Sequence, residues 1–414
     1  MSFSDNYFSR YNSYSQFFNE PVNENTDIIV VIPCFDDPHI FKTLDSLQNT
    51  TKNNIGLEVI VIVNSGESTP LSIIETNRKI FEKLVTLKEL NYYNFNLLVK
   101  NLEKVPNKTA GVGNARKAGM DEAVRRFSQI GKPNGIITSL DADCIVENDY
   151  LISITNTFLS DRKVEATTLQ FRHDFDKNLY QEKVIRACKQ YEIYLRYFRL
   201  SLKLTGFPYY FHTIGSCFAV TASSYIKAGG MSRRQGGEDF YFLHKVAPMT
   251  KIEEIKKILV FPSPRISERV PFGTGPSVKN IINNDNYKVY NFRLFSVIKQ
   301  FYNCFENYFD TNDNLFDFIP DEIIQYVGKG KLTELISECK KNTKDLLSFK
   351  KRMNSKFDAF FIIKFLNSFD LNSKYPPQDN LEAAKLLLEY YGIESGIYEI
   401  ECIYDKILDI DLTN

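Results

Sequence analysis

Apolar positions along this chain follow two alternating periods. Ile28 to Ile32 is an unbroken, mostly β-branched run, the pattern of a strand covered on both faces. Similar runs at Glu58–Val63, Leu97–Val99, Ile136–Leu140, Glu165–Phe171 and Ile214–Val220 predict further strands. Between them, apolar residues recur at helical spacing over 40–48, 71–90, 112–127 and 150–159. Strands alternating with helices predict an α/β fold, a mostly parallel sheet with helices on both faces.

A long aromatic-rich helix over 179–204 is expected to cover that sheet. Its Tyr191, Tyr194, Tyr197 and Phe198 read as packing residues. Beyond Lys279 the pattern turns helical with Asn- and Lys-rich breaks, and a late helix over 381–391 is closed by Gly392. Three parts follow: a polar, aromatic arm over 1–26 that packs loosely, an α/β domain over 27–279, and a mainly helical region over 280–414 with no assignable chemistry.

Composition narrows the function classes. The 51 Lys and Arg equal the 51 Asp and Glu, so there is no overall basic footprint and no nucleic-acid partner is expected. Seven scattered cysteines without a Cys-x-x-Cys pair read as free thiols in a reducing compartment, and four histidines, none in metal-ligand spacing to a Cys, argue against a zinc site. No secretory signal and no run of eighteen apolar residues is apparent. The expected location is the cytoplasm, with no transmembrane segment and with peripheral contact at the inner face of a membrane left open.

Chemistry concentrates in a few segments. Asp141-Ala142-Asp143 follows the apolar run at 136–140. Were the strand to continue, both carboxylates would face one region past its carboxyl end, where open α/β sheets bind ligands. Hard oxygen donors there suit Mg²⁺ or Mn²⁺ carrying a phosphate. The same pattern recurs at Asp174-Phe175-Asp176 and Asp409-Ile410-Asp411, without a buried-strand run directly before it. Gly111-Val112-Gly113 does not make a dinucleotide fingerprint, because Arg116 stands where the third glycine belongs and the turn comes late in the sheet. Gly236-Gly237 precedes the acidic pair Glu238-Asp239, which would either complement a helix dipole or face a cleft. A Pro- and Gly-rich loop over 262–275 carries Arg265 and Arg269, candidates for an anionic ligand.

In order and spacing, Val31-Ile32-Pro33, Gly113-Asn114-Ala115-Arg116-Lys117, Asp141-Ala142-Asp143, Gly229-Gly230 and Glu238-Asp239 resemble the GT-A nucleotide-sugar glycosyltransferases of inverting family 2, over about residues 27–275. The resemblance implies a GT-A (Rossmann-like), mostly parallel central sheet with helices on both faces, here with a helical carboxyl-terminal region added. It implies a nucleoside-diphosphate sugar as donor, a UDP-sugar being favoured, Mn²⁺ or Mg²⁺ as cofactor, and a glycan, lipid-linked or protein acceptor. Asp143 is then the direct metal ligand, and Asp141 faces the ribose or a metal-bound water. Pro33, Cys34, Phe35, Asp37, Asn64, Gly113 and Ala142 line the nucleotide, while Arg116 or Lys117 neutralises phosphate or contacts the base. Arg265 and Arg269 support the diphosphate. Asp239 is the general base and Glu238 binds the acceptor hydroxyl, with the reverse assignment open.

Two departures stand out. Asn64-Ser65 takes the place where such enzymes often carry aspartates that grip the nucleoside, and no third metal ligand is evident, since His244 does not share the helix face of Glu238. A retaining GT-A enzyme, a sugar nucleotidyltransferase and a degenerate binding module are the competing readings. The nucleotidyltransferase would need a glycine-rich loop where Cys34-Phe35-Asp36-Asp37 stands.

Overall fold

The structure, a computed structural model, describes residues 2–11, 14–267, 273–284, 287–310, 315–393 and 399–414. Up to Pro262 its main elements, in chain order, are α1 (Asp5–Tyr11), β1 (Thr26–Cys34), α2 (Ile40–Gln48), β2 (Gly56–Gly66), α3 (Leu71–Glu89), β3 (Asn96–Val105), α4 (Val112–Gln129), β4 (Ile136–Ser139), β5 (Cys144–Val146), α5 (Tyr150–Ser160), β6 (Val164–Phe171), α6 (Glu182–Leu204), β7 (Phe218–Thr221), α7 (Ala222–Lys227), α8 (Glu238–Val246) and β8 (Lys251–Pro262).

The chain divides into two compact units, residues 1–180 with 212–276, and residues 181–211 with 277–414. In the first, the described strands form one sheet in the order β3-β2-β1-β4-β7-β6-β8-β5. β3, β2, β1 and β4 run parallel. β7 is antiparallel to β4 and β6, β8 parallel to β6, and β5 antiparallel to β8. This is a mostly parallel α/β sheet, as the alternation of strands and helices predicts. Ile28 to Ile32 and Val59 to Val63 are fully buried, as expected of central strands, each worth about 1.5–3 kcal/mol of apolar burial.

The run at 136–140 stops earlier than its apolar pattern suggests. Val31 pairs with Ser139, the Leu140 amide bonds the Val31 carbonyl at 3.1 Å, and the chain turns, with the Cys144 amide on the Asp141 carbonyl at 3.2 Å. Asp141 and Asp143 therefore sit on a turn rather than on one strand face. The strand expected over 214–220 likewise forms only from Phe218, and β8, whose first half sets paired Glu and paired Lys between isoleucines, is a strand that apolar runs did not disclose.

The amino-terminal arm is not loose. Tyr7 is buried, donates to Asp121 at 2.8 Å and accepts from Lys117 at 2.9 Å. The amides of Phe17 and Phe18 bond Glu122 of α4, and Arg125 reaches the Tyr14 carbonyl.

In the second unit, α6 packs with the late helices Asn380–Tyr390 and Ile400–Thr413. Arg196 pairs with Glu192 at 2.6 Å and Asp411 at 3.6 Å, Arg199 with Asp411 at 2.5 Å, and Tyr404 donates to Glu192 at 2.8 Å, all of them buried. The third Asp-x-Asp is thus one buried ion-pair partner on a helix, not a metal site. Tyr191, Tyr194, Tyr197 and Phe198 make ring contacts with Tyr287, Tyr290, Phe292 and Phe295, which accounts for the aromatic content of α6 by packing. All described cysteines are free.

Candidate active site

The carboxyl ends of β1, β2 and β4 lie side by side, and the turns that follow them carry most of the residues singled out above. Pro33 and Cys34 are buried at the end of β1, Phe35 is half-buried, and Asp36 has φ 50°. Asn64 is buried near the end of β2. Its carbonyl accepts from Asn77 of α3 at 3.0 Å, and the Asn77 amide oxygen accepts from the Asp36 backbone at 2.8 Å. Asn77 thus ties the two strand ends together. The sequence signal for it was a polar residue at helical spacing between Ile73, Ile80 and Leu84, on a stripe otherwise apolar.

Arg116 organises one half of the site. It lies one turn into α4, 2 % exposed, and its Nε donates to Ser139 Oγ at 2.8 Å. One terminal nitrogen bonds Glu238 and the other bonds Asp141 at 2.5 Å. Two glycines make room. A Cβ at Gly113 would collide with the Arg234 carbonyl and approach the Glu238 Cβ at 3.1 Å, so the bare backbone of Gly113 lets the loop before α8 settle on α4. A Cβ at Gly215 would meet the Arg116 guanidinium at 2.5 Å. The backbone of Gly215 thus lies directly against an arginine side chain.

Glu238 and Asp239 open α8, where the helix dipole favours negative charge. They face different demands. Glu238 is 2 % exposed and bound to Arg116, whereas Asp239 is half-buried. Burial raises the Asp239 carboxyl above its usual pKa of 3.8; Arg116 opposes that rise and Asp141 adds to it. A half-exposed carboxylate with a raised pKa can take a proton from a hydroxyl.

Arg265 organises the other half. It binds both oxygens of the buried Asp37, one of them at 3.0 Å, and a single oxygen of Asp143 at 3.0 Å. The His39 Nδ1 lies 2.8 Å from the same guanidinium. Burial works against the charge of Arg265, but Asp37 and Asp143 outweigh it and hold the group protonated. Its Nε–H is buried with no hydrogen-bond partner among the described residues, a cost of about 1–3 kcal/mol that an arriving acceptor would relieve. His39 carried no sequence signal beyond its place beside Asp37.

Two further candidates are engaged by neighbouring groups. Lys117 is buried against Tyr7 and Asp121, and burial lowers its pKa; it braces the arm. The Ala142 carbonyl accepts from Thr43 of α2 at 2.9 Å. Arg269 lies outside the described residues. Asp174 and Asp176 cap their own turn, accepting the amides of Asp176 and Asn178.

Asp141 and Asp143 are thus the hard donors available for a divalent cation, each beside a different arginine. Among the described residues no three His, Cys, Asp or Glu side chains form a cage. That donor set still fits Mn²⁺ or Mg²⁺, which take one or two carboxylates and complete their shell with substrate phosphates and water. The unsatisfied Arg265 Nε fits the phosphate side of the same arrangement.

The family model described as "Glycosyltransferase like family 2" matches residues 25–240, more than half of the chain. No curated protein matches. Among solved structures, TarS 1–349 of S. aureus is 14% identical over 80% of this chain and 91% of its own, with a TM-score of 0.38. The same protein in complex with UDP-GlcNAc gives 14% identity, 80% and 92% coverage, and 0.39. The mannosyltransferase PcManGT from Pyrobaculum calidifontis, in complex with GDP-Man and Mn²⁺, is 13% identical over 99% of this chain and 92% of its own, at 0.37.

Proposed function

This chain belongs to the glycosyltransferase-like family 2, and we propose that it moves a sugar from a nucleoside-diphosphate sugar to an acceptor hydroxyl with inversion at the anomeric carbon. One observation carries the reading. Arg116 joins Glu238 of the acidic pair to Asp141 of the Asp-x-Asp turn, which brings the proton acceptor Asp239 and the metal-type carboxylates to one end of the sheet.

The roles follow from the surroundings of each group. Asp239 takes the acceptor proton as the hydroxyl oxygen bonds the anomeric carbon and the bond to the diphosphate breaks; its raised pKa suits that task. Glu238 holds Arg116 and so sets the height of α8 over the site; it is a positioning residue rather than the acceptor's hydrogen-bond partner. Arg116 keeps Asp141 oriented. Asp143, with Asp141 beside it, would hold Mn²⁺ or Mg²⁺. When bound, that cation supplies Lewis-acid compensation for the departing diphosphate. Arg265 adds a positive charge next to Asp143. Asp37, Asn64 and the Asn77 brace form the nucleoside end, where an uncharged amide would meet a base edge, and UDP-sugars are the first donors to test.

The acceptor carries a hydroxyl on a glycan, a lipid-linked sugar or a protein, in polysaccharide, glycolipid or glycoprotein synthesis. Work in the cytoplasm, at the inner face of a membrane, is part of this proposal. Among the described residues no helix is long and apolar enough to cross a membrane. A panel of nucleoside diphosphates and their sugar conjugates, screened with Mn²⁺ by thermal shift, tests the reading, because a bound ligand raises stability by mass action. At least one conjugate should stabilise the chain and be slowly hydrolysed to nucleoside diphosphate. Wild type and Asp143→Ala releasing it equally would contradict the proposal.

A further inference from the structure

Asp143 is held by Arg265, and the way it is held is unequal. Asp37 is the anchor: its side chain is 4 % exposed and both its oxygens bind the guanidinium. Asp143 is 19 % exposed, and Arg265 reaches it only through the terminal nitrogen that Asp37 also uses, at 3.0 Å. The His39 nitrogen lies beside the other terminal nitrogen at 2.8 Å. The Nε–H, although buried, has no hydrogen-bond partner among the described residues. One limb of this arginine can thus be exchanged while the bidentate limb keeps it in place, and one donor still lacks an acceptor.

We propose that Arg265 is an exchangeable counter-ion for Asp143, displaced when a divalent cation takes that carboxylate and then turned, still anchored on Asp37, to the diphosphate of the donor. This rests on the reading of Asp143 as the metal-binding carboxylate. The charge arithmetic gives the consequence. A cation on Asp143 removes the partner of one arginine limb and places like charge beside it, so the metal alone is opposed by Arg265. A nucleoside diphosphate brings negative charge between the two cations and an acceptor for the unsatisfied donors. Metal and nucleoside diphosphate therefore favour each other's binding, and by linkage the coupling is equal in both directions. The arginine penalises metal that arrives without donor.

The test is Mn²⁺ binding to the full chain, by calorimetry and by the electron paramagnetic resonance of free Mn²⁺, with and without UDP. Wild type, Arg265→Gln and Asp143→Asn are compared. Wild type should bind Mn²⁺ weakly alone and at least about tenfold more tightly with UDP. Arg265→Gln should bind Mn²⁺ alone about tenfold more tightly than wild type, about 1.4 kcal/mol, and gain much less from UDP. If Arg265→Gln does not fold because Asp37 is left buried without its partner, the Asp37→Asn/Arg265→Gln variant, which removes both charges, takes its place with the same expectation. Equal or weaker Mn²⁺ binding in the arginine variants, with binding lost in Asp143→Asn, would overturn the counter-ion and leave the metal site standing. Absence of Mn²⁺ binding in every variant, UDP present, would overturn the metal site and the counter-ion together.

Discussion

Arg116 and Glu238 form an ion pair in which both side chains are 2 % exposed, although 122 residues separate them in the chain. Such a pair fixes α8 against α4 more firmly than it stabilises the fold, because two desolvated charges repay little beyond their own burial. Removing one partner is another matter. Arg116→Ala leaves Glu238 buried and uncompensated and should lower folding stability by about 3–5 kcal/mol, measured by urea unfolding. Arg116→Met combined with Glu238→Gln should cost clearly less than the two single changes added together, which a double-mutant cycle reads directly.

The acidic pair also sets the pH response. Because burial raises the Asp239 carboxyl above its usual 3.8, the base becomes protonated, and the transfer rate falls, at a pH above the ordinary aspartate range. The acid limb of the kcat/KM profile should lie there. The sign for stability is opposite to that of a salt-bridged aspartate. The folded chain keeps a proton that the unfolded chain has released, so stability falls as pH rises from the usual value through the raised one. Asp239→Asn cannot ionise. It should be more stable than wild type near pH 8 and indistinguishable from it near pH 3, about where both forms are uncharged. A gain of equal size at both pH values would contradict the assignment.

Gly230 has φ 70°, and a Cβ there would collide with the Tyr7 hydroxyl. Gly230→Ala should therefore cost about 1–3 kcal/mol in backbone strain and also release the arm. Limited proteolysis should then cut within residues 12–24 faster than in wild type, while Ala substitution at the exposed Gly131, whose added Cβ meets nothing within 4 Å, pays for its φ of 64° without freeing the arm.

Asp411→Asn should lower the stability of the second unit by about 3–5 kcal/mol, since Arg199 and Arg196 would lose a buried counter-charge. Asp176→Asn, at the remaining Asp-x-Asp turn, should change stability by less than about 0.5 kcal/mol. Unfolding curves for the two variants separate one sequence pattern into its two physical uses.

Local order was legible where periodicity was unambiguous. The apolar runs at Ile28–Ile32 and Glu58–Val63 gave β1 and β2, and helical spacing gave α2 to within its observed ends, Ile40–Gln48. What remained hidden was long-range. Nothing in the local pattern around Arg265 points to Asp37, 228 residues away, or around Arg116 to Glu238. Turn chemistry also prevailed over the apolar run at 136–140: β4 ends at Ser139, and so Asp141 and Asp143 meet different arginines instead of sharing a face. The long helix expected over 179–204 has a clear apolar stripe, but periodicity cannot say which elements it packs with, and its buried partners Tyr404 and Asp411 lie at the far end of the chain. The glycines were visible as glycines; the groups pressed against them, Tyr7 at Gly230 and Arg116 at Gly215, needed the fold.

The central claim is that Asp239 removes the acceptor proton at a site where other groups bind the donor. The most direct measurement is Asp239→Asn, assayed for nucleoside diphosphate and Mn²⁺ affinity and, separately, for single-turnover sugar transfer. The account predicts donor-side affinities within about threefold of wild type and a transfer rate lower by roughly 10²–10⁴, the usual contribution of a general base. Transfer at the wild-type rate, or loss of nucleotide binding in its place, would contradict it.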